Sequence, residues 1–557
     1  MALWLAGIAP ALGAVKELNV RDYGAKGDGT TLDSPAINAA IAATGVGGGI
    51  VRFPAGRYLS YSIRLKSHLT LQLDAGAVLV AADPATGSGT YDAAEPNEWD
   101  QYQDFGHSHW HNSLIWGDGI EDVAIVGPGL IDGTKGLVRF GPPPRRPAPA
   151  KGAPATPPTG EPPGVSPGQF PHRNMDGLGN KAIALKNCRH VTLRDFSVLN
   201  GGHFALLATG VDHLTIANLK VDTNRDGFDI DACRNVRVSD CQVNSPNDDA
   251  IVLKTSFALG TARATEKVLI TGCHVSGYDA GSLLDGTLRR TMERAPDRDG
   301  PTGRIKLGTE SNGAFRDITI SNCVFERSRG LAIESVDGGI IEDVTVKNLT
   351  MREIVNSPIF LRLGNRARGP AGTPVGAIRR VKISDVTAQD ADARYACVLL
   401  TGLPGHAIEN VTLNNITIVA RGGLSPAVVA EQPAGLVNPF FLRGQPGATG
   451  PREPLAVPER ENGYPEPSMF GLLPGSVVYA RHVLGLKVNY FTVSFTQPDT
   501  RPLVVLDDAA SVKFDHFQAP RPASGAAFVL RSVRDFKVNR SPGVPDTRQA
   551  AAGDLDF

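Results

Sequence analysis

The chain has 557 residues, a formal net charge of −1 and a hydrophobic content of 41%. It can therefore bury a sizeable core, and it has no overall field that would attract nucleic acid or an acidic membrane. The 62 glycines and 41 prolines follow no Gly-X-Y period, which excludes collagen and indicates many turns. The length allows one large repeat domain or several ordinary ones.

The N-terminal stretch from residue 2 to 15 is apolar and shorter than the ~20 residues of a membrane helix. It has the small and apolar residues of a signal peptide but lacks a basic start. We therefore predict that residues 1–14 are a signal-peptide remnant and that the protein is secreted or periplasmic. A first strand or a start codon placed too late is the alternative.

A short helix is predicted from Ser34 to Gly45. Ser34 can cap its start, and Gly45 suits its end. Ile37, Ala40 and Ile41 form one apolar stripe along it. We expect this helix to cover the N-terminal end of the fold.

One short alternating pattern recurs along the chain. Copies begin 22 or 23 residues apart at His190, His213 and Asn235. Copies with wider spacings begin at Lys267, Asp317, Asp343, Arg380 and Asn410. Each copy alternates polar residues with Val, Ile or Leu, which predicts short strands with no helix between them. The pattern predicts an all-β solenoid of stacked parallel strands, a parallel β-helix, with residues 15–557 as a single domain.

Two Pro-rich insertions interrupt this repeat. Residues 137–172 predict a mobile loop. Residues 422–475 contain the aromatic stretch Asn462-Gly-Tyr-Pro-Glu-Pro-Ser-Met-Phe470, which predicts a packed loop. With a further insertion at 279–302, they could wall off one end of a cleft and favour action at chain ends.

Three aspartates are the most informative polar residues. When Phe228 is aligned with Ile251, a step of 23 residues places Asp226 beside Asp249, with Asp248 one residue earlier. Neighbouring strands lie ~4.8 Å apart, so the three carboxylates should converge and raise at least one pKa. This arrangement suits acid–base catalysis, but a Ca²⁺ site or ordinary turn residues would have the same pattern.

The chain resembles the polygalacturonases of glycoside hydrolase family 28 along nearly its whole length. Asn19-Val-Arg-Asp-Tyr-Gly-Ala-Lys-Gly-Asp-Gly29 and Phe53-Pro-Ala-Gly-Arg-Tyr-Leu59 are similar to the opening shared by many pectin-active β-helices. Gly127-Pro-Gly-Leu-Ile-Asp-Gly133 is a further match. Asn224-Arg-Asp226-Gly is similar to the family's Asn-Thr-Asp-Gly, and Asp248-Asp249 matches its aspartate pair.

The resemblance implies a right-handed parallel β-helix and glycosidic hydrolysis with inversion. Carried over by motif, Asp248 is the general acid, while Asp226 and Asp249 hold and deprotonate the water. An inverting pair commonly leaves roughly 6.5–9.5 Å between its carboxyl groups for that water.

Two motifs of the family are missing in register. No histidine occupies the family's Gly-His-Gly position at Gly303, and Glu334 stands where the lysine of Arg-Ile-Lys is expected. The string Arg304-Ile-Lys306 occurs one turn too early. These departures make a modified or branched pectin, such as rhamnogalacturonan, a plausible substrate.

Candidates to replace the missing histidine and Arg-Ile-Lys cations lie in the same row of outward side chains as the aspartates. Lys306 aligns with Asp229, and Lys254 aligns with Asp231 and Glu334; either lysine could bind a uronate carboxylate or neutralise neighbouring acids. His203, one turn before the aspartates, could supply the imidazole or be an ordinary surface histidine. The predicted substrate-binding residues are Lys306, Lys254, His203, Asp229, Arg304, Glu310 and Glu334.

An alternating run of histidines, His107, His109 and His111, could ligate zinc. Without a fourth partner we favour a loop or a sugar subsite. Nearby Trp110 and Trp116 could stack on sugar rings or pack in the core.

The sequence thus predicts a secreted glycoside hydrolase that cleaves uronic-acid-rich plant polysaccharide. We expect no cofactor and no bound metal, no nucleic-acid or membrane partner, and a monomer. A Ca²⁺-dependent β-helix lyase and a non-catalytic carbohydrate-binding β-helix are the alternatives.

Overall fold

The computed structural model describes residues 16–141, 174–293, 300–392, 394–433, 436–437, 441 and 450–557. Residues 1–14, and most of the insertion at 137–172, lie outside this part, so the signal-peptide and mobile-loop predictions are not addressed by it. Among the described residues, no helix combines the length and apolar character that crossing a bilayer requires.

Strands dominate the described chain, and they form one continuous sheet system. The first ten are β1 Glu17–Asn19, β2 Asp28–Leu32, β3 Gly49–Phe53, β4 Gly56–Ser60, β5 Ile63–Arg64, β6 Leu69–Leu73, β7 Ala77–Ala81, β8 Ser113–Asp118, β9 Glu121–Val126 and β10 Leu130–Asp132. The next twelve are β11 Lys181–Lys186, β12 Arg189–Arg194, β13 Ser197–Leu199, β14 Phe204–Thr209, β15 Asp212–Ala217, β16 Lys220–Asp222, β17 Asp226–Asp231, β18 Arg234–Ser239, β19 Gln242–Asn244, β20 Ile251–Thr255, β21 Thr265–Thr271 and β22 His274–Ser276. The last twelve are β23 Ile305–Ser311, β24 Phe315–Glu326, β25 Leu331–Ser335, β26 Ile340–Arg352, β27 Ile359–Leu363, β28 Ala377–Ala391, β29 Val398–Thr401, β30 Ile408–Gly422, β31 Val478–Gln497, β32 Val504–Gln518, β33 Phe528–Asn539 and β34 Thr547–Asp556.

The strands pair in parallel with their equivalents on the next turn, which confirms the predicted right-handed parallel β-helix. Val191, Leu214, Val236 and Val268 are register partners on four successive turns and are all buried. Each such side chain contributes about 1.5–3 kcal/mol by leaving water. Stacking of these inward residues therefore builds one continuous core along the solenoid.

The start of each repeat copy is a kink in the backbone. The first residue of each copy has a left-handed φ angle between 52° and 58°, for example His190, Asn235 and Asp343. Asn and Asp tolerate this conformation better than other residues with a Cβ. The repeat seen in the sequence is therefore the spacing of these kinks.

A helix, α1 Ser34–Ala43, covers the N-terminal end, as predicted, and buries Ile37 and Ile41. Its cap differs from the prediction. Asp33 is the N-cap residue, and Ser34 Oγ instead accepts a hydrogen bond of 2.9 Å from the Tyr61 amide. Two further short helices are α2 Phe105–Ser108 and α3 Pro426–Glu431.

The C-terminal end of the stack is closed by a reversed strand. β34 pairs antiparallel to β33, in contrast to the parallel pairs before it. Phe557 stacks on Phe528 with 5.3 Å between the ring centroids. The stack therefore ends in an antiparallel strand and not in a further parallel turn.

Candidate active site

The three aspartates lie where one sheet of the solenoid meets a turn. This sheet, called here the site sheet, consists of β8, β11, β14, β17, β20, β23, β25, β27, β29 and the start of β31. Asp226 begins β17, and Asp248 and Asp249 precede β20. Phe228 pairs with Ile251, which is the register that the 23-residue step predicts.

A glycine allows the two turns to approach each other beside Asp226. The Gly227 amide donates to the Asp249 carbonyl at 3.0 Å. A Cβ at this position would lie 2.3 Å from the Ala250 carbonyl oxygen and 2.4 Å from a Val243 methyl group. The lack of room for a Cβ at position 227 therefore explains why a glycine follows Asp226 in the motif.

The carboxylates of Asp226, Asp248 and Asp249 converge. One oxygen from each lies within 4.8 Å of the others, and the three residues are only 3%, 7% and 3% exposed. We refer to these residues as the aspartate triad.

Each member of the triad has different surroundings. Arg225 forms an ion pair with Asp248. Asp249 accepts a hydrogen bond of 2.7 Å from Arg304 Nε and lies 3.3 Å from Lys306 Nζ. Asp226 Oδ1 is buried and has no hydrogen-bond partner within the described part of the chain.

These surroundings favour a proton on Asp226. Burial raises the pKa of the Asp226 carboxyl well above its usual value, and the negative charge of Asp248 raises it further. A triad that holds one proton beside two ionised carboxylates can both give and accept protons. The resemblance assigns the acid role to Asp248, whereas the electrostatics of the unliganded site place the proton on Asp226.

Lys254 lies at the centre of a buried network beside the triad. Its Nζ is 3.2 Å from Asp229 Oδ2, 3.2 Å from Glu310 Oε2 and 2.6 Å from His107 Nε2. Burial opposes the charged form, but the two carboxylates outweigh it and raise the pKa of Lys254 well above its usual value. Lys254 is therefore a paired cation.

Lys254 pairs in register with Asp231, as predicted. The residues before Lys254 and Glu334 also share one register, through Leu253, Leu307 and Ile333, but the ion partner of Lys254 from the following strand is Glu310. The register shifts between β20 and β23, where Thr255 faces Ser311, and this irregularity brings Glu310 to Lys254.

Lys306 follows Val252 and Asp229 in register, as predicted, but it is not an outward, accessible side chain. It is 1% exposed, and its Nζ lies 3.3 Å from Asp249 and 3.3 Å from Glu334. Its partners are therefore these two acids and not Asp229. Burial raises the pKa of Glu334 to about 7, although Lys306 opposes this shift.

His203 lies one turn before the triad. It directly precedes Phe204, which is the register partner of Asp226. Its ring stacks on that of Phe204 with 4.1 Å between centroids. Burial lowers the pKa of His203 well below its usual value, so the ring is neutral. The structure thus makes His203 a buried imidazole and not a surface histidine.

Among the described residues, none of His107, His109 and His111 belongs to a cluster of three or more possible metal ligands. His107 contacts Lys254 and Asp229, while His109 Nδ1 lies 2.9 Å from the Phe105 carbonyl and His111 stacks on Trp116. Trp110 is fully buried, which supports the core alternative for that residue.

Part of the long insertion covers the site sheet beyond Lys306. We call residues 450–473 the covering segment. Tyr464 Oη lies 3.5 Å from Lys306 Nζ and 3.2 Å from Thr309 Oγ1. Farther along, Phe470 packs in the cluster that contains Phe360 of the sheet. The described part of this insertion is therefore packed on the site sheet, as the packed-loop prediction expects.

Several polar residues of the site were missed by sequence reasoning. They are Arg225, Arg329, Tyr464 and Glu466. Arg225 was visible in the Asn224-Arg-Asp226-Gly motif, in place of the family's threonine. Glu466 could not have been placed, because 162 residues separate it from its partner Arg304.

Known proteins resemble this chain in sequence and in fold. Residues 18–252 match the family model described as rhamnogalacturonase A/epimerase, pectate lyase-like. A probable polygalacturonase of Vitis vinifera is 24% identical over 429 residues, which cover 71% of this chain and 73% of that protein.

Two solved structures share the fold. The family 28 exopolygalacturonase of Yersinia enterocolitica aligns with a TM-score of 0.55 and 18% identity, over 95% of this chain and 79% of that chain. The exopolygalacturonase of Thermotoga maritima aligns with a TM-score of 0.54 and 18% identity, over 73% of this chain and 87% of that chain. Both solved structures thus share the parallel β-helix fold, and the sequence matches agree with the resemblance to polygalacturonases seen in the motifs.

Proposed function

We propose that the protein is a secreted glycoside hydrolase that cleaves glycosidic bonds in uronic-acid-containing plant polysaccharide. The observation that carries this proposal is the aspartate triad, in which three buried carboxylates each place an oxygen within 4.8 Å of the others. Glycoside hydrolases commonly use a pair of carboxyl groups, of which one is protonated and the other ionised. Secretion rests on the apolar N-terminal stretch and on the location of such a polymer outside cells.

In the proposed mechanism, Asp248 gives a proton to the leaving oxygen, and Asp226 and Asp249 hold and activate the water. Because burial and the charge of Asp248 favour a proton on Asp226, the mechanism requires transfer of that proton to Asp248 before it is given to the leaving oxygen. Arg304 and Lys306 hold the Asp249 carboxyl through a hydrogen bond of 2.7 Å and an ion pair of 3.3 Å.

Inversion at the anomeric carbon rests on the family resemblance. Proton NMR of the first product formed, read before mutarotation, distinguishes inversion from retention.

We also propose that the substrate is a modified pectin, such as rhamnogalacturonan, and that it is cut near its end. The cations expected to bind a simple uronate are already paired: Lys306 with two acids, Arg304 with Asp249 and Glu466. The covering segment packs on the site sheet beyond Lys306, and we infer that it walls off one end of the cleft, which favours a pocket for a chain end.

The test is incubation with homogalacturonan and rhamnogalacturonan oligosaccharides, with the products identified by mass. Hydrolysis gives products that together gain one water per bond. A lyase gives an ultraviolet-absorbing double bond without added water, and EDTA should inhibit it if the triad holds Ca²⁺. Binding without any product would support the carbohydrate-binding alternative.

A further inference from the structure

The covering segment also carries a buried acid that reaches the triad indirectly. Glu466 is 1% exposed and belongs to this segment, not to the site sheet. Its Oε1 accepts a hydrogen bond of 2.8 Å from Arg304 Nη2 and lies 3.1 Å from Arg329 Nη1. One carboxylate oxygen thus bridges two guanidinium groups.

Arg304 continues this chain of contacts to Asp249. Its Nε donates to Asp249 Oδ1 at 2.7 Å, while the far end of the same guanidinium binds Glu466. A guanidinium is planar and rigid, so a partner that fixes one edge also fixes the direction of the other. The position of Asp249 therefore depends on an acid that does not itself touch the triad.

We propose that Glu466 is a positioning residue of the active site, which acts through Arg304 to hold Asp249. This inference rests on the proposed function. Without the charge of Glu466, Arg304 and Arg329 would repel each other across the position of its Oε1, because both nitrogens lie within 3.1 Å of that oxygen. Arg329 is also anchored to the Gly300 carbonyl at 2.9 Å, so Arg304 is the group expected to move.

The kinetic test compares Glu466→Gln with Glu459→Gln. Glu459 is the matched control, because it is an acid of the same covering segment whose partners, Arg481 and His482, lie away from the triad. We expect Glu466→Gln to lower kcat about 10- to 100-fold with little change in KM, as for a misplaced catalytic group. Glu466→Asp should restore part of kcat, and Glu459→Gln should stay within about twofold of the wild type.

A double mutant tests whether Glu466 acts through Arg304. In an Arg304→Met protein, adding Glu466→Gln should change kcat by less than about twofold, since the intermediary is already gone. An equal loss of kcat in both backgrounds, or a change in KM alone, would overturn the inference.

Crystal structures of the wild type and Glu466→Gln give a readout that needs no activity. We expect the distance from Arg304 Nε to Asp249 Oδ1 to exceed hydrogen-bond range in the variant; an unmoved Arg304 would overturn the inference. If the wild type released no sugar from any pectic oligosaccharide, the proposed function would fail, but these structures would still decide whether Glu466 holds Arg304.

Discussion

Replacing Asp248 by asparagine should change how the stability of the protein depends on pH. The variant removes one negative charge from the triad and keeps the shape of the side chain. At the 4.8 Å bound on the separation of the triad oxygens and an effective dielectric constant of about 20, two ionised carboxylates repel by about 3.5 kcal/mol. Asp226 feels this repulsion whenever it is ionised.

The sign follows from the raised pKa of Asp226. Between the pKa of an unfolded aspartate, about 4, and the higher pKa in the folded protein, the folded state holds the extra proton, so stability falls as pH rises. Without the charge of Asp248 this fall is smaller. The loss of the ion pair with Arg225 is a further cost, but it is constant in this range because arginine stays charged.

The assay is the melting temperature of both proteins from pH 4 to pH 9. A chain of 557 residues has an unfolding entropy near 1.2 kcal/mol/K at about 2.1 cal/mol/K per residue, so about 3.5 kcal/mol corresponds to about 3 °C. The melting temperature of Asp248→Asn minus that of the wild type should therefore rise by about 3 °C across this range. A difference that stays constant with pH would refute the coupling of Asp226 to Asp248.

Three further predictions test the site. Asp248→Asn should lower kcat about 10²- to 10⁴-fold and retain oligosaccharide binding, because an amide cannot give the proton; activity within a few-fold of the wild type would remove Asp248 from the mechanism. Lys306→Met leaves Asp249 and Glu334 buried without their shared cation, a cost of about 3–5 kcal/mol, and should lower the melting temperature by about 3–4 °C. Selective weakening of acidic ligands by about 10- to 100-fold, without this fall, would instead restore Lys306 as the uronate-binding residue. Gly227→Ala should lower both melting temperature and kcat, since its Cβ would lie 2.3 Å from a backbone oxygen; a fully active, stable variant would contradict the packing at Asp226.

The parts of the structure that could be predicted are those fixed by short, regular spacings. The alternating pattern sets which side chains face the core, and the left-handed residues such as His213 and Asn410 mark each turn. The 23-residue step from Asp226 to Asp249 is of this kind, because one strand register decides it.

Other features depend on irregularities that a repeat does not encode. The register shift between β20 and β23 brings Glu310 to Lys254, and no periodic alignment would place it there. Glu466 reaches Arg304 from a distant insertion, so its position follows from the fold of the covering segment alone. The burial of Lys306 could not be predicted either, because the residue pattern of its strand does not show that the covering segment packs over it.

These irregularities bear on the missing Arg-Ile-Lys. The turn that should carry those cations instead has Ala332 and Glu334, while Arg304 and Lys306 lie on the turn before. Lys306 pairs in register with Ala332, and it binds Glu334, which stands where the family's lysine is expected, at 3.3 Å. Arg304 and Lys306 both lie against Asp249, where their charges neutralise a carboxylate of the protein. If Asp249 is the base that we propose, these two cations hold the base, and a uronate of the substrate must be recognised by other residues.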